Sequence, residues 1–91
     1  MKYEVIISPK AEEHFVALAK SEPKAFKKAL TFIEELKVHP KTGTGHPEQL
    51  KGHPENRWSR RITQKHRLIY RIFETEVYVD VLSAYGHYED K

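Results

Sequence analysis

Two periods of apolar residues run along the chain. From Lys2 to Ser8 the spacing is two, with Tyr3, Val5 and Ile7 on one side, which predicts a strand. At Ser8-Pro9 the period changes. Serine can cap free helical amides, proline suits the first helical position, and Glu12 and Glu13 follow where a helix dipole favours negative charge. Ala11, Phe15, Leu18 and Ala19 then mark one apolar helix face. Ser21-Glu22-Pro23 breaks this helix and opens a second, with a stripe of Phe26, Ala29, Leu30, Ile33 and Leu36 and an end at His39-Pro40. The pair reads as a helical hairpin.

From Pro40 to Asn56 there are three glycines, three prolines and no sustained periodicity. A structureless loop of this length in a compact domain is usually either functional or the sign of a misassigned element, and its lead into the basic segment that follows favours a functional loop. Three strands are predicted after it: Arg57–Thr63, His66–Phe73 and Glu76–Tyr85, with Gln64-Lys65 and Glu74-Thr75 as two-residue turns. In the middle strand Leu68, Tyr70 and Ile72 share one face, and Arg67, Ile69 and Arg71 the other. Burying the first face against the helices leaves both arginines on the open face. The expected fold is α+β: an N-terminal strand, a two-helix hairpin, then a mainly antiparallel four-stranded sheet.

The chain has 91 residues, so residues 1–91 are expected to form a single domain with one modest core. With no cysteine there is neither a disulfide framework nor a thiolate metal site. The N-terminal apolar run is too short for a membrane span, so the protein is read as soluble and cytoplasmic. Charge adds more. Lys51, Arg57, Arg60, Arg61, Lys65, Arg67 and Arg71 face only Glu55 within residues 51–71, a net of +6 in a chain of +3. Such a segment points to a polyanion such as nucleic acid; a solvated basic face is the equal alternative.

Metal-free RNA cleavage needs a base for a 2′-hydroxyl, an acid for the leaving 5′-oxygen, a cation for the phosphorane, and groups that hold the nucleotides in line. Glu48, Arg67, His87 and Tyr88 are the candidates. Singly, each has an ordinary explanation as a solvated loop acid, a solubilising strand arginine, or residues near a chain end. His46 and His53 suggest a metal only faintly, so no metal is expected. Trp58 reads as core or rim ahead of a base-stacking platform.

Their arrangement is more specific. Pro47-Glu48-Gln49-Leu50-Lys51, then Trp58-Ser59-Arg60-Arg61-Ile62, then His66-Arg67-Leu68-Ile69-Tyr70, then Gly86-His87-Tyr88 closely resembles the YoeB family of bacterial toxins in the RelE superfamily. The resemblance covers nearly the whole chain. It implies a RelE-like fold and an endoribonuclease that cuts messenger RNA in the ribosomal A site without metal or cofactor, leaving a 2′,3′-cyclic phosphate and a 5′-hydroxyl. Residue by residue, it implies Glu48 as general base, Arg67 as phosphate stabiliser, His87 as general acid and Tyr88 as an orienting group, with Lys51 and Arg61 on phosphate. A neutralising YefM/Phd-type antitoxin is the implied partner, and a homodimer is a further expectation.

The chain departs from the family in continuing past the terminal tyrosine with Glu89-Asp90-Lys91, and in the extra loop histidines His46 and His53. Two other functions fit the same scaffold. One is a ParE-like inhibitor of DNA gyrase, which lacks this set of four residues; the other is a plain RNA-binding module.

Overall fold

The computed structural model describes residues 2–53 and 55–86. Strand β1 (Glu4–Ile7) leads into helices α1 (Pro9–Ser21) and α2 (Pro23–Leu36). A long loop contains the two-residue strand β2 (Glu48–Gln49), and β3 (Arg57–Arg61), β4 (Arg67–Phe73) and β5 (Tyr78–Ser83) follow. The class is α+β, as the periodicity predicts, but the sheet has five strands in the order β1-β5-β4-β3-β2. The additional strand is β2: the loop expected to be structureless pairs Glu48 and Gln49 with Ser59 and Trp58. Strand β1 lies parallel to β5, and the other pairs are antiparallel.

Helix α1 starts as its sequence requires. Ser8 Oγ accepts the Ala11 N–H at 3.1 Å and donates to the Leu82 carbonyl at 3.2 Å, so one hydroxyl caps the helix and ties it to β5. Ala11, Phe15 and Leu18 are buried as expected, while Ala19 is exposed. Helix α2 is rotated from its expected orientation. Its buried stripe is Ala25, Ala29, Phe32, Ile33 and Leu36; Phe26 is only half-buried and Leu30 is 42% exposed. The cause is tertiary, because Phe32 packs beneath the loop at Gly45. Phe26 and Leu30, turned outward, join Ile7, Phe15, Val16 and Ala19 in lining an apolar groove of about 620 Å³.

Gly45 has a φ of +81°, and a Cβ there would overlap the Phe32 ring. Its carbonyl accepts the Arg61 N–H at 2.7 Å, joining the loop to the end of β3. Gly45→Ala is therefore expected to lower stability by more than about 1 kcal/mol, since the backbone is unfavourable for a side chain and the ring blocks it. A urea-unfolding midpoint equal to that of the parent would contradict this packing.

Strand ends differ from expectation where the backbone turns back on itself. Strand β3 stops at Arg61 because Ile62 and Thr63 N–H both turn back to the His66 carbonyl, at 3.0 and 3.1 Å. Between β4 and β5 the connection is four residues, not two, and Val77 adopts a φ of 60°. Neither Glu74 nor Thr75 suits the left-handed backbone of a two-residue hairpin turn. Leu68, Tyr70, Ile72, Val79 and Val81 form the helix-covered face, with Trp58 partly buried against it.

Arg60 belongs to this inner face too. It pairs across the strands with Leu68 and is 0% exposed. Its inclusion in the basic segment facing a polyanion is corrected accordingly. Its guanidinium contacts the Glu35 carboxylate and donates to the carbonyls of Thr44 (3.2 Å), His39 (3.0 Å) and Thr42 (2.7 Å). Its Nε donates to the Tyr70 hydroxyl at 3.2 Å, and that hydroxyl donates to the Pro40 carbonyl at 2.8 Å. One buried arginine thus binds the backbone of residues 39–44 and fixes the loop that delivers β2. Among the described residues, no helix is long and apolar enough to cross a membrane.

Candidate active site

The opposite face of the sheet gathers the charged residues by strand register. Glu48 on β2 lies opposite Ser59 on β3, which lies opposite Ile69 on β4. Two residues along, Arg61 is paired with Arg67; two residues the other way, Arg57 is paired with Arg71, which is paired with Asp80 on β5. Because side chains alternate, Glu48, Arg57, Arg61, Arg67 and Arg71 all project from one face. Adjacent strands lie about 4.8 Å apart, so Glu48 is two strand spacings, about 10 Å, across the sheet from β4.

The centre of this face is small and covered. Ser59 and Ile69 are each 2% exposed, and in register they are flanked by long arginine side chains. A one-residue shift between β4 and β5 at Ile69/Tyr70 leaves Leu82 unmatched beside this centre and bends the sheet there.

The arginines are not equivalent. Arg71 is paired with Asp80 at 2.9 Å, and Arg57 with the carboxylate of Glu55. Burial alone would raise the pKa of Glu55, but hydrogen bonds and the charges of Arg57 and Arg71 outweigh it and hold that carboxyl below its usual value. Arg67 has no carboxylate partner among the described residues; it is half-buried, and its Nε, although buried, has no hydrogen-bond partner among them. Arg61 and Glu48 are exposed. Lys51 is exposed in the turn just past β2, one residue beyond Leu50, whose N–H donates to the Arg57 carbonyl at 2.8 Å. The open face therefore brings together Glu48, Arg61 and Arg67, with Lys51 at its rim. His87 and Tyr88 lie outside the described residues.

The chain leading to them is described as far as Gly86. The Gly86 carbonyl accepts the backbone N–H of Arg67 at 3.1 Å, and its own N–H donates to His66 Nδ1 at 2.8 Å. The segment that continues into His87 thus begins beside Arg67. His46, with a φ of 53°, is exposed in the loop and His53 is half-buried; no group of three metal-binding side chains occurs among the described residues. The Trp58 indole N–H donates to Asn56 Oδ1 at 2.7 Å, and Gln49 donates to the same oxygen at 3.0 Å. Trp58 is thereby a brace for the β2–β3 edge, turned away from the open face.

A family model for the YoeB-like toxin of bacterial type II toxin-antitoxin systems matches residues 7–88. The chain belongs to this family. It is 37% identical over 84 residues to the toxin YoeB of Mycobacterium bovis, covering 92% of this chain and 96% of that relative. Among solved structures it is similar to a YoeB/ParE toxin from Agrobacterium tumefaciens, with a TM-score of 0.84, 28% identity and coverage of 93% of this chain and 99% of the other. YoeB of Staphylococcus aureus, solved as a dimer, matches at a TM-score of 0.82, and in complex with YefM at 0.77; in both, identity is 27% and coverage 97% of this chain and 100% of the other.

Sequence reasoning missed two groups. Strand parity could have placed Arg60 inward, since Trp58 and Ile62 flank it at a spacing of two. The contacts of His66 with Gly86 and Glu22 have no local signal, because the latter pair is separated by 44 positions.

Proposed function

We propose that this YoeB-family toxin is a ribosome-dependent endoribonuclease that cleaves messenger RNA in the ribosomal A site. The observation that carries this reading is the shared open face of Glu48, Arg61 and Arg67, with Gly86 anchored at Arg67. Glu48 takes the proton of a 2′-hydroxyl, whose oxygen attacks the adjacent phosphorus. The bond from phosphorus to the 5′-oxygen breaks, and His87 gives that oxygen its proton. Arg67, unpaired among the described residues, stabilises charge building on the phosphorane, and Arg61 and Lys51 hold neighbouring phosphates. Tyr88 orients the RNA or the proton transfer. The nucleophile belongs to the substrate, so no metal is required to generate it.

The partner of such a toxin is a YefM/Phd-type antitoxin, as the Staphylococcus aureus complex with YefM suggests. The basic open face would suit an acidic antitoxin segment, which would silence the toxin by covering or distorting the site. A homodimer, as in the YoeB dimer from that organism, and a cytoplasmic location alongside ribosomes belong to the same reading.

End analysis of the products tests the chemistry. Cleavage is expected to leave a 2′,3′-cyclic phosphate and a 5′-hydroxyl, at an unchanged rate after the purified toxin is treated with chelator. Products with a 5′-phosphate and a free 3′-hydroxyl would overturn 2′-hydroxyl attack.

A further inference from the structure

We propose that His66 is a positioning residue for this reaction: its neutral ring, oriented by Glu22, holds the backbone of Gly86 and so fixes the point from which the segment carrying His87 departs. This rests on the endoribonuclease reading.

Gly86 is held from both sides by consecutive residues. The His66 ring takes its N–H and the Arg67 backbone gives an N–H to its carbonyl. The residue preceding the proposed acid is thereby keyed to the proposed phosphate stabiliser. Gly86 has a φ of +80°, and a Cβ there would meet nothing, so glycine serves the backbone conformation and not close packing.

The chemistry of the ring sets its protonation. An N–H that donates to Nδ1 needs a lone pair there, so the ring proton sits on Nε2. Nε2 lies 2.7 Å from Glu22 Oε2, the acceptor such a proton requires. Glu22 stands at the junction of α1 and α2, so the link runs from the helical hairpin through the imidazole to the C-terminal segment. The hydrogen bond from His66 holds the Glu22 carboxyl below its usual pKa, against a smaller opposing effect of burial. Lys65 Nζ, 4.0 Å from the same oxygen, adds to this.

The neighbouring residues repeat the device. Tyr85 packs on the His66 ring at 4.4 Å between centroids and approaches His14 at 5.9 Å. Ala84 N–H donates to His14 Nδ1 at 3.0 Å. Burial, then the nearby Lys10 charge, lowers the His14 pKa, which favours the neutral ring that this bond requires. His14 on α1 and His66 in the β3–β4 connection thus each accept a backbone N–H from residues 84–86. His66 is 2% exposed, too buried to present its ring to a substrate on the surface, so its effect on cleavage is through Gly86.

The test is single-turnover cleavage of messenger on programmed 70S ribosomes with His66→Ala, His66→Gln and His66→Asn, each checked for folding by thermal melting. An asparagine oxygen can take the place of Nδ1 and still accept from Gly86; the glutamine amide reaches the Nε2 position instead. His66→Ala and His66→Gln are expected to lower the saturating rate about 100-fold, with half-saturation changed by no more than about twofold. His66→Asn is expected to recover the rate to within about tenfold of the parent. Parental rates in His66→Ala, or equal impairment of the Asn and Gln variants, would overturn the proposal. If the parent itself cuts nothing, the endoribonuclease reading fails, and nitrogen NMR of the parent still decides the clamp. A neutral Nε2–H ring with coupling across the Gly86 N–H···Nδ1 bond supports it, and a charged or Nδ1–H ring at neutral pH overturns it.

Discussion

Arg60→Met is expected to lower the unfolding free energy by about 3–5 kcal/mol, the usual cost of removing one partner from a buried ionic network. Methionine fills part of the volume but leaves the carbonyls of His39, Thr42 and Thr44, the Tyr70 hydroxyl and the Glu35 carboxylate without their donor. Against a total of about 5–15 kcal/mol for a domain of this size, that loss leaves a marginal fold. Arg61→Met, one residue away on the exposed face, is expected to change stability by no more than about 0.5 kcal/mol. Equal urea midpoints for the two variants would contradict the inward assignment of Arg60. The same network carries a pH signature. Burial acts to raise the Glu35 pKa, but hydrogen bonds from Thr44 and the pairing with Arg60 prevail and bring it below 4.5. A carboxylate with a lowered folded pKa stabilises above its unfolded value, and that stability is lost as pH falls below 4.5 through the folded pKa. Arg60→Met should therefore flatten the fall of the urea midpoint over this acid range.

Arg67→Ala is expected to slow cleavage at saturating ribosome by about 100- to 1000-fold, the usual loss when one donor to a developing anion is removed. Its effect on stability should be small, since no carboxylate among the described residues depends on its guanidinium. Arg67→Lys keeps the charge but not the two-pronged donor geometry, and is expected to recover only part of the rate. Arg71 offers the contrast. It lies on the same face but is paired with Asp80, so Arg71→Ala should weaken RNA binding modestly and leave the saturating rate near that of the parent. A plain RNA-binding module would instead lose affinity gradually with each arginine and show no such division. Retention of full rate by Arg67→Ala would remove this residue from the proposed chemistry.

Local pattern made much of this legible. The Ser8-Pro9 cap, the alternation of Leu68, Tyr70 and Ile72, and the outward face of Arg67 and Arg71 depend on near neighbours, and they appear in the structure where the spacing puts them. Helix α2 carries two overlapping apolar sectors, one through Phe26 and Leu30 and one through Ala25 and Phe32. Tertiary contacts select between them: Phe32 packs in the core, beneath the Gly45 loop and against the Arg60 guanidinium. The two-residue β2 was hidden because a strand this short has no period, and its pairing with Ser59 and Trp58 is non-local. The candidate site was partly legible for the same reasons. Glu48, Lys51, Arg61 and Arg67 were named from motif, and cross-strand register brings Glu48, Arg61 and Arg67 to one face. The tie from Glu22 through His66 to Gly86 joins three distant parts of the chain, and no spacing announces it.

The most direct test of the proposed function is cleavage of a defined messenger programmed on purified 70S ribosomes, with the 5′ ends of the fragments mapped for the parent and for His87→Ala. The parent should cut within the A-site codon and leave free messenger intact, and His87→Ala should make no cut. Intact messenger with the parent, while its expression still arrests growth, would contradict ribosome-dependent cleavage and point to a different cellular target.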